Sequence, residues 1–148
     1  MPTAYTVQAS AHIDAPPERV YGIIADYRTG HPSILPKAFR NFSVERGGVG
    51  AGTVIRFDVR TLGTTTRFHG VVTEPEPGRV LVERYDEPVS QTTFTVVAGA
   101  NGGTDVTFFS ELTSRDGLGG TIERWMSRRF LRKLYAEELG LLAERSRR

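Results

Sequence analysis

The chain contains no cysteine, which removes disulfides, thiolate metal sites and cysteine nucleophiles together. Lysine is nearly absent as well. Lys37 and Lys133 stand alone among 19 basic residues, an arginine bias that reads first as a codon-composition effect. Set against 17 acidic residues, the basic groups leave a net charge of only +2. That balance does not suit nucleic acid, although a pI near 9.2 permits an anionic partner. No apolar run approaches the ~20 residues of a membrane span, and the N-terminus lacks the basic-then-apolar order of a signal peptide. These absences predict a soluble, cytoplasmic protein.

Catalytic signatures are missing too. The histidines, His12, His31 and His69, are too scattered for a helical metal pair, and there is no "HExxH" motif and no "GxSxG" elbow. "GGVGAG" holds a Gly-x-Gly but lies between two strand patterns and opens no helix. It therefore reads as a flexible hairpin and not as a phosphate cradle. No metal and no cofactor is expected.

What is present is a sharp sequence of periods. The 148 residues, 39% of them hydrophobic, fit one domain over residues 1–148 with one core. Tyr5, Val7, Ala9, Ala11 and Ile13 alternate with polar residues, as in a half-buried strand. From Val20 the apolar residues Val20, Tyr21, Ile23, Ile24 and Tyr27 fall three and four apart, the spacing of a helix. Pro16 and Pro17 suit its first turn, with Asp14 placed to cap it. "HPSILPKAF" predicts a short second helix or tight loop.

From Phe39 the period returns to two. Segments near 40–46, 53–62, 64–74, 79–85, 91–98 and 104–113 are rich in Val, Phe, Thr and Ile, and "LGTT", "EPEPGR", "DEP" and "GANGG" separate them. Connections this short predict an antiparallel meander. Residues 118–145 form a long amphipathic helix. Its apolar stripe would carry Leu118, Ile122, Trp125, Met126, Phe130, Leu134, Leu141 and Leu142, with Arg124, Arg128, Arg132 and Glu144 solvated. The fold class is therefore α+β, a curved sheet of about seven strands around the C-terminal helix, in which the first strand pairs with the last and the early helices close one end.

The stretches "IDAPPERVYGIIADY", "HPSILP", "GGVGAGTVIRF", "GGTDVTFFSEL" and "YAEELGLLAE" resemble the START-like, Bet v 1-like (SRPBCC) superfamily, in particular its bacterial polyketide cyclase/dehydrase branch. The resemblance covers Tyr5 to Glu144. It implies a helix-grip fold with a cavity between sheet and C-terminal helix, and a function of carrying, sensing or cyclising small hydrophobic molecules. It transfers no catalytic residue, because "DAPPERVY" is structural in that family and the scaffold hosts many functions.

Strand parity then proposes a cavity lining. Ile55, Phe57 and Val59 would face inward, followed by Phe68, Gly70 and Val72, then Val80 and Val82. Phe94 and Val96, then Val106, Phe108 and Ser110, would continue the lining, with Trp125, Met126 and Phe130 opposite. The same parity turns Thr66, Arg84 and Thr92 inward. Arg84 either sits at a strand end near solvent, the reading that ranks ahead, or anchors an acidic ligand group. Gly70 would leave room where a side chain would fill it, or mark a bulge.

Such a lining predicts binding of a lipid, isoprenoid or polyketide-like molecule by a monomer or homodimer. The alternative is a cyclase/dehydrase-type enzyme whose acid-base groups act in the same cavity, with Tyr27, Arg84 and Arg129 as candidates. His69 falls on the outward parity. His31, beside Pro32, is the better placed histidine for ligand contact, though a turn role ranks ahead. The arginines of the last helix would meet an anionic membrane only if the interleaved Glu123, Glu137, Glu138 and Glu144 did not balance them, so a solvated face ranks ahead of membrane contact.

Overall fold

A computed structural model describes residues 2–61, 63–87 and 89–148; Leu62 and Pro88, which fall in two of the expected turns, lie outside the described residues. The elements run β1 (Thr3–Ile13), α1 (Pro17–Ala25), α2 (Gly30–Ser33), β2 (Phe39–Arg46), β3 (Val54–Thr61), β4 (Thr64–Glu76), β5 (Val80–Tyr85), β6 (Ser90–Ala98), β7 (Thr104–Ser114) and α3 (Gly117–Ser146). The strands form one seven-stranded antiparallel sheet in the order β1-β7-β6-β5-β4-β3-β2. As the periods predict, β1 pairs β7 along its whole length, from Thr3↔Ser114 to Ile13↔Thr104. Register breaks in β2 and β4 bend the sheet, and α3 lies across its inner face.

The prolines do open α1, but by a different cap. Pro16 is the extended N-cap residue and, among the described residues, no side chain caps the helix; Asp14 instead points to His12, 3.4 Å from Nε2. Val20 and Ile24 are fully buried. At the far end of α1 the Asp26 carboxylate accepts from the backbone N–H groups of Arg28, Thr29 and Gly30 and from the Thr29 hydroxyl. The Thr29 hydroxyl bond, helped by those amides, holds the Asp26 pKa below the usual carboxylate range. This turn launches α2. A Cβ at Gly30 would sit 2.6 Å from the Ile23 carbonyl oxygen, so only glycine lets α2 approach α1 this closely.

The "GGVGAG" hairpin is pinned against the same junction and does not hang free. Tyr27 N–H donates to the Gly48 carbonyl at 2.8 Å and Gly50 N–H to the Ala25 carbonyl at 2.9 Å. Four of its glycines, Gly47, Gly48, Gly50 and Gly52, have positive φ.

The expected stripe of α3 splits in two. Leu134, Tyr135, Leu139 and Leu142 are buried in the core, whereas Leu118, Ile122, Trp125 and Met126 are exposed. Only the C-terminal half of α3 therefore seats fully in the core. Accordingly, we expect Leu142→Ala to cost about 2–5 kcal/mol and Leu118→Ala less than about 0.5 kcal/mol, read from urea denaturation midpoints at constant slope.

Candidate functional site

Between the sheet and α3 lies a cavity of about 720 Å³, within the range of small-molecule sites. Its wall is largely aromatic and aliphatic: Phe39, Phe42, Phe57, Phe68, Phe94 and Phe130 contribute rings, with Leu35, Ile55, Val59 and Leu134 between them. Phe57 is central to this wall, 5.2 Å from the Phe68 ring and 5.4 Å from Phe39 by centroid. The rim is built from Thr61, Thr64 and Val89 at strand turns and from Arg115, Gly119 and Ile122 at the start of α3.

The inner face of β5 departs from the parity reading. Leu81 pairs with Phe94 and Glu83 with Thr92, and antiparallel partners share a face. Leu81, Glu83 and Tyr85 therefore point inward, while Val80, Val82 and Arg84 point out. Arg84 is exposed and donates to Gln91 on β6, its Nη2 lying 3.0 Å from Oε1. Val82 is buried, but outside the core cluster. Both parities of this strand carry apolar residues, and the inward one also carries a carboxylate, so alternation alone chose the wrong face.

Glu83 is 4% exposed and Glu138, from α3, 3%. His31, from α2, is also buried, and its Nε2 lies 3.7 Å from a carboxylate oxygen of each. Its Nδ1 is 2.7 Å from the Ile24 carbonyl. A carbonyl only accepts, so Nδ1 carries a hydrogen and Nε2 is the atom turned toward the two acids. The ring is clamped by stacking on Tyr27 at 4.6 Å and by the edge of Phe94 at 5.6 Å.

Glu83 is held by two phenols: Tyr27 donates at 2.5 Å to one oxygen and Tyr85 donates to the other. Burial, then the neighbouring Glu83 charge, pushes both phenols well above their ordinary pKa, so each stays a neutral donor. Glu138 makes no such bonds among the described residues. Burial, reinforced by Glu83, raises its pKa well above the carboxylate range. Beside it on α3, Tyr135 shares a 2.5 Å hydrogen bond with Ser110, which in turn is 2.8 Å from the Thr92 hydroxyl. Burial pushes the Tyr135 pKa up to about 12. An apolar cavity thus meets one polar band containing a carboxyl with a raised pKa, an imidazole nitrogen, a carboxyl bound by two phenols and a hydroxyl chain.

Of the residues drawn from strand parity, Phe57, Val59, Phe68, Phe94, Ser110, Met126 and Phe130 line this cavity, as do Thr66 and Thr92. Val96 and Phe108 face the same side but are closed in the core behind it. Gly70 leaves no free room: a Cβ there would lie 2.8 Å from the Tyr85 ring, which occupies the space. Trp125 is 62% exposed outside the cavity, with the Arg129 guanidinium 5.7 Å over its ring. That contact also takes Arg129 away from the interior, so Tyr27 alone of the three acid-base candidates belongs to the site. His31 is not a surface turn histidine but a buried one. His12 and His69 pair with Asp105 and with Asp86 and Glu45 at the surface.

Glu83, Tyr85, Tyr135 and Glu138 escaped the sequence reading. For the last two a signal existed, since Leu131, Leu134, Tyr135, Glu138 and Leu142 recur at helical spacing on one face. Among the described residues no group of three or more His, Asp and Glu side chains is arranged to hold a metal ion, and no helix is long and apolar enough to cross a membrane.

The family described as polyketide cyclase / dehydrase and lipid transport matches residues 4–147. No protein of curated function matches the chain in sequence. Among solved structures, the KanY protein in solution shares 24% identity with a TM-score of 0.87, covering 99% of both chains. The Zhui aromatase/cyclase from a Streptomyces species shares 17% with a TM-score of 0.80, over 99% of this chain and 95% of that one. Norcoclaurine synthase from Thalictrum flavum, solved with dopamine and hydroxybenzaldehyde, shares 13% with a TM-score of 0.72, over 97% and 86%. At these identities the likeness is one of fold.

The Glu138 pKa makes a testable statement about stability. A carboxyl whose folded pKa is raised binds its proton more tightly folded than unfolded, so its contribution is intact below about 4.5, the ordinary value, declines as pH rises from there, and is gone once pH has passed the raised folded value. Glu138→Gln should leave stability nearly unchanged at pH 4 and exceed the wild type increasingly toward pH 8, by urea unfolding across that range. A wild-type-like pH slope in the variant would show that Glu138 ionises normally.

Proposed function

Since the chain belongs to the polyketide cyclase / dehydrase and lipid transport family, within the START-like superfamily, we propose that its cavity binds a small hydrophobic molecule bearing a carbonyl group and moves a proton on it. The observation that carries this reading is the His31, Glu83 and Glu138 group set into an otherwise aromatic wall. A pure carrier gains nothing from burying two acidic side chains beside an imidazole, since each costs desolvation if charged and a shifted proton equilibrium if neutral. Acid-base catalysis needs such groups with their pKa values moved apart.

Each residue then has a role. His31 Nε2, its ring fixed by the Ile24 carbonyl and the Tyr27 stack, takes the proton from the carbon next to the carbonyl. Glu138, whose pKa burial and the Glu83 charge push up, is the acid disposed to carry a proton and donates it to the carbonyl oxygen as that gains charge. Glu83, fixed by Tyr27 and Tyr85, stabilises the imidazolium that forms. Tyr135 and Ser110 offer a further hydroxyl donor to the ligand oxygen. The enol so formed is the species from which ring closure or loss of water proceeds. Relatives in fold that are named as an aromatase/cyclase, or solved with aromatic small molecules, support this choice of ligand class.

Native mass spectrometry beside the denatured mass, with organic extraction of whatever dissociates, should show a retained apolar, carbonyl-bearing molecule. Proton exchange in heavy water, followed by NMR on an aryl methyl ketone, should be accelerated by the wild type and slowed about 10²–10⁴-fold by His31→Gln and by Glu138→Gln. Retained ligand with exchange rates equal in wild type and both variants would reduce the protein to a carrier.

A further inference from the structure

We propose that the outer side of the first turns of α3 docks on an anionic phospholipid surface. Leu118, Ile122, Trp125 and Met126 recur at helical spacing and are all exposed, Leu118 by 79%. Val89, in the turn between β5 and β6, is 70% exposed, and it shares the cavity rim with Ile122 and Met126. Single exposed apolar side chains need no explanation, but a contiguous stripe beside a cavity mouth does.

Charge identifies what covers it. Continuing along the same side of the helix come Arg129, Arg132 and Lys133, all exposed and, among the described residues, in no ion pair. Of the glutamates that interleave them in sequence, Glu137 stays exposed and in no ion pair among the described residues, one turn beyond Lys133, and offsets one of the three cations; the others are engaged elsewhere. Glu138 is turned into the cavity, Glu123 accepts from Arg115 at 3.1 Å, and Glu144 pairs with Arg148 at 3.6 Å. The even balance read from the sequence thus becomes, on this side, three cations against one exposed carboxylate. An apolar stripe backed by unpaired cations matches the boundary between acyl chains and anionic headgroups. A second copy fits less well, because a two-fold contact through the stripe would bury these cations against the partner's apolar first turns or against their own counterparts. The surface is independent of the chemistry proposed for the cavity and would bring its mouth to a source of apolar ligand.

Trp125 is the chain's single tryptophan and reports directly from the stripe. Its fluorescence should shift to the blue, and the protein should co-sediment, with phosphatidylcholine vesicles containing phosphatidylglycerol but not with phosphatidylcholine alone, the binding weakening as salt rises. The triple variant Arg129→Gln, Arg132→Gln, Lys133→Gln should lose about two orders of magnitude in vesicle partitioning, at ~1 kcal/mol per cation. Leu118→Ser, at a largely exposed site, should also weaken it. Absence of any shift or pelleting, equal binding to both vesicle types, or a blue shift that depends on protein concentration without vesicles would each overturn the proposal, the last in favour of self-association.

Discussion

One helix must cover the inner face of seven strands, and it cannot. A curved sheet of this width leaves more apolar surface than a single cylinder about 10 Å across can touch, so α3 seats through Leu134, Leu139 and Leu142 and stands off elsewhere. The space left over is the cavity. The β1–β7 pairing brings the chain's first and last strands together on the side where α3 packs, and α1 with α2 fills the end of the sheet that no strand closes. Every feature of the site follows from this mismatch between one helix and one sheet.

A cavity formed in this way exposes whatever the surrounding elements turn inward, and here three of them turn in ionisable groups. Two buried carboxylates beside each other would repel strongly in a medium of low dielectric. The structure resolves the conflict asymmetrically. Glu83 receives two phenolic hydrogen bonds, whereas Glu138 receives none among the described residues and holds its proton more tightly than a free carboxyl. Asp26 contributes from outside the cavity: its turn sets the entry of α2, and α2 sets His31 between the two acids.

The fold was legible because its signals were periodic. Tyr5 to Ile13 alternate, Val20 to Tyr27 recur at helical spacing, and the strands from Phe39 onward are separated by glycine and proline turns, so element types, order and the β1–β7 pairing could be read directly. The site was legible only where it obeyed the same periodicity, as with Phe57, Phe68, Phe94 and Phe130. Glu83 was hidden because β5 reads "VLVERY": Val80 and Val82 imitate an inward face, and their strand is assigned correctly only once Leu81 is seen opposite Phe94. His31 was hidden because burial of a four-residue helix depends on Gly30 and Asp26, contacts that no local pattern reveals.

The departures from regular patterning are not scattered at random. An inward glutamate on β5, a buried glutamate among leucines on α3 and a histidine carried into the interior by a single turn all line the cavity, and the apolar stripe turned outward on the first turns of α3 reaches its rim through Ile122 and Met126. Each is locally unfavourable, since it exposes apolar surface or buries a group that water would solvate. A sequence shaped for stability alone would exchange them. Leucine at 83 or 138, and a charged residue at 118 or 125, would fit the surrounding pattern better. The core proper, around Phe108, Val72 and Ile24, keeps to the rules throughout. That these exceptions gather at one cavity and its mouth is a physical argument that the cavity is used.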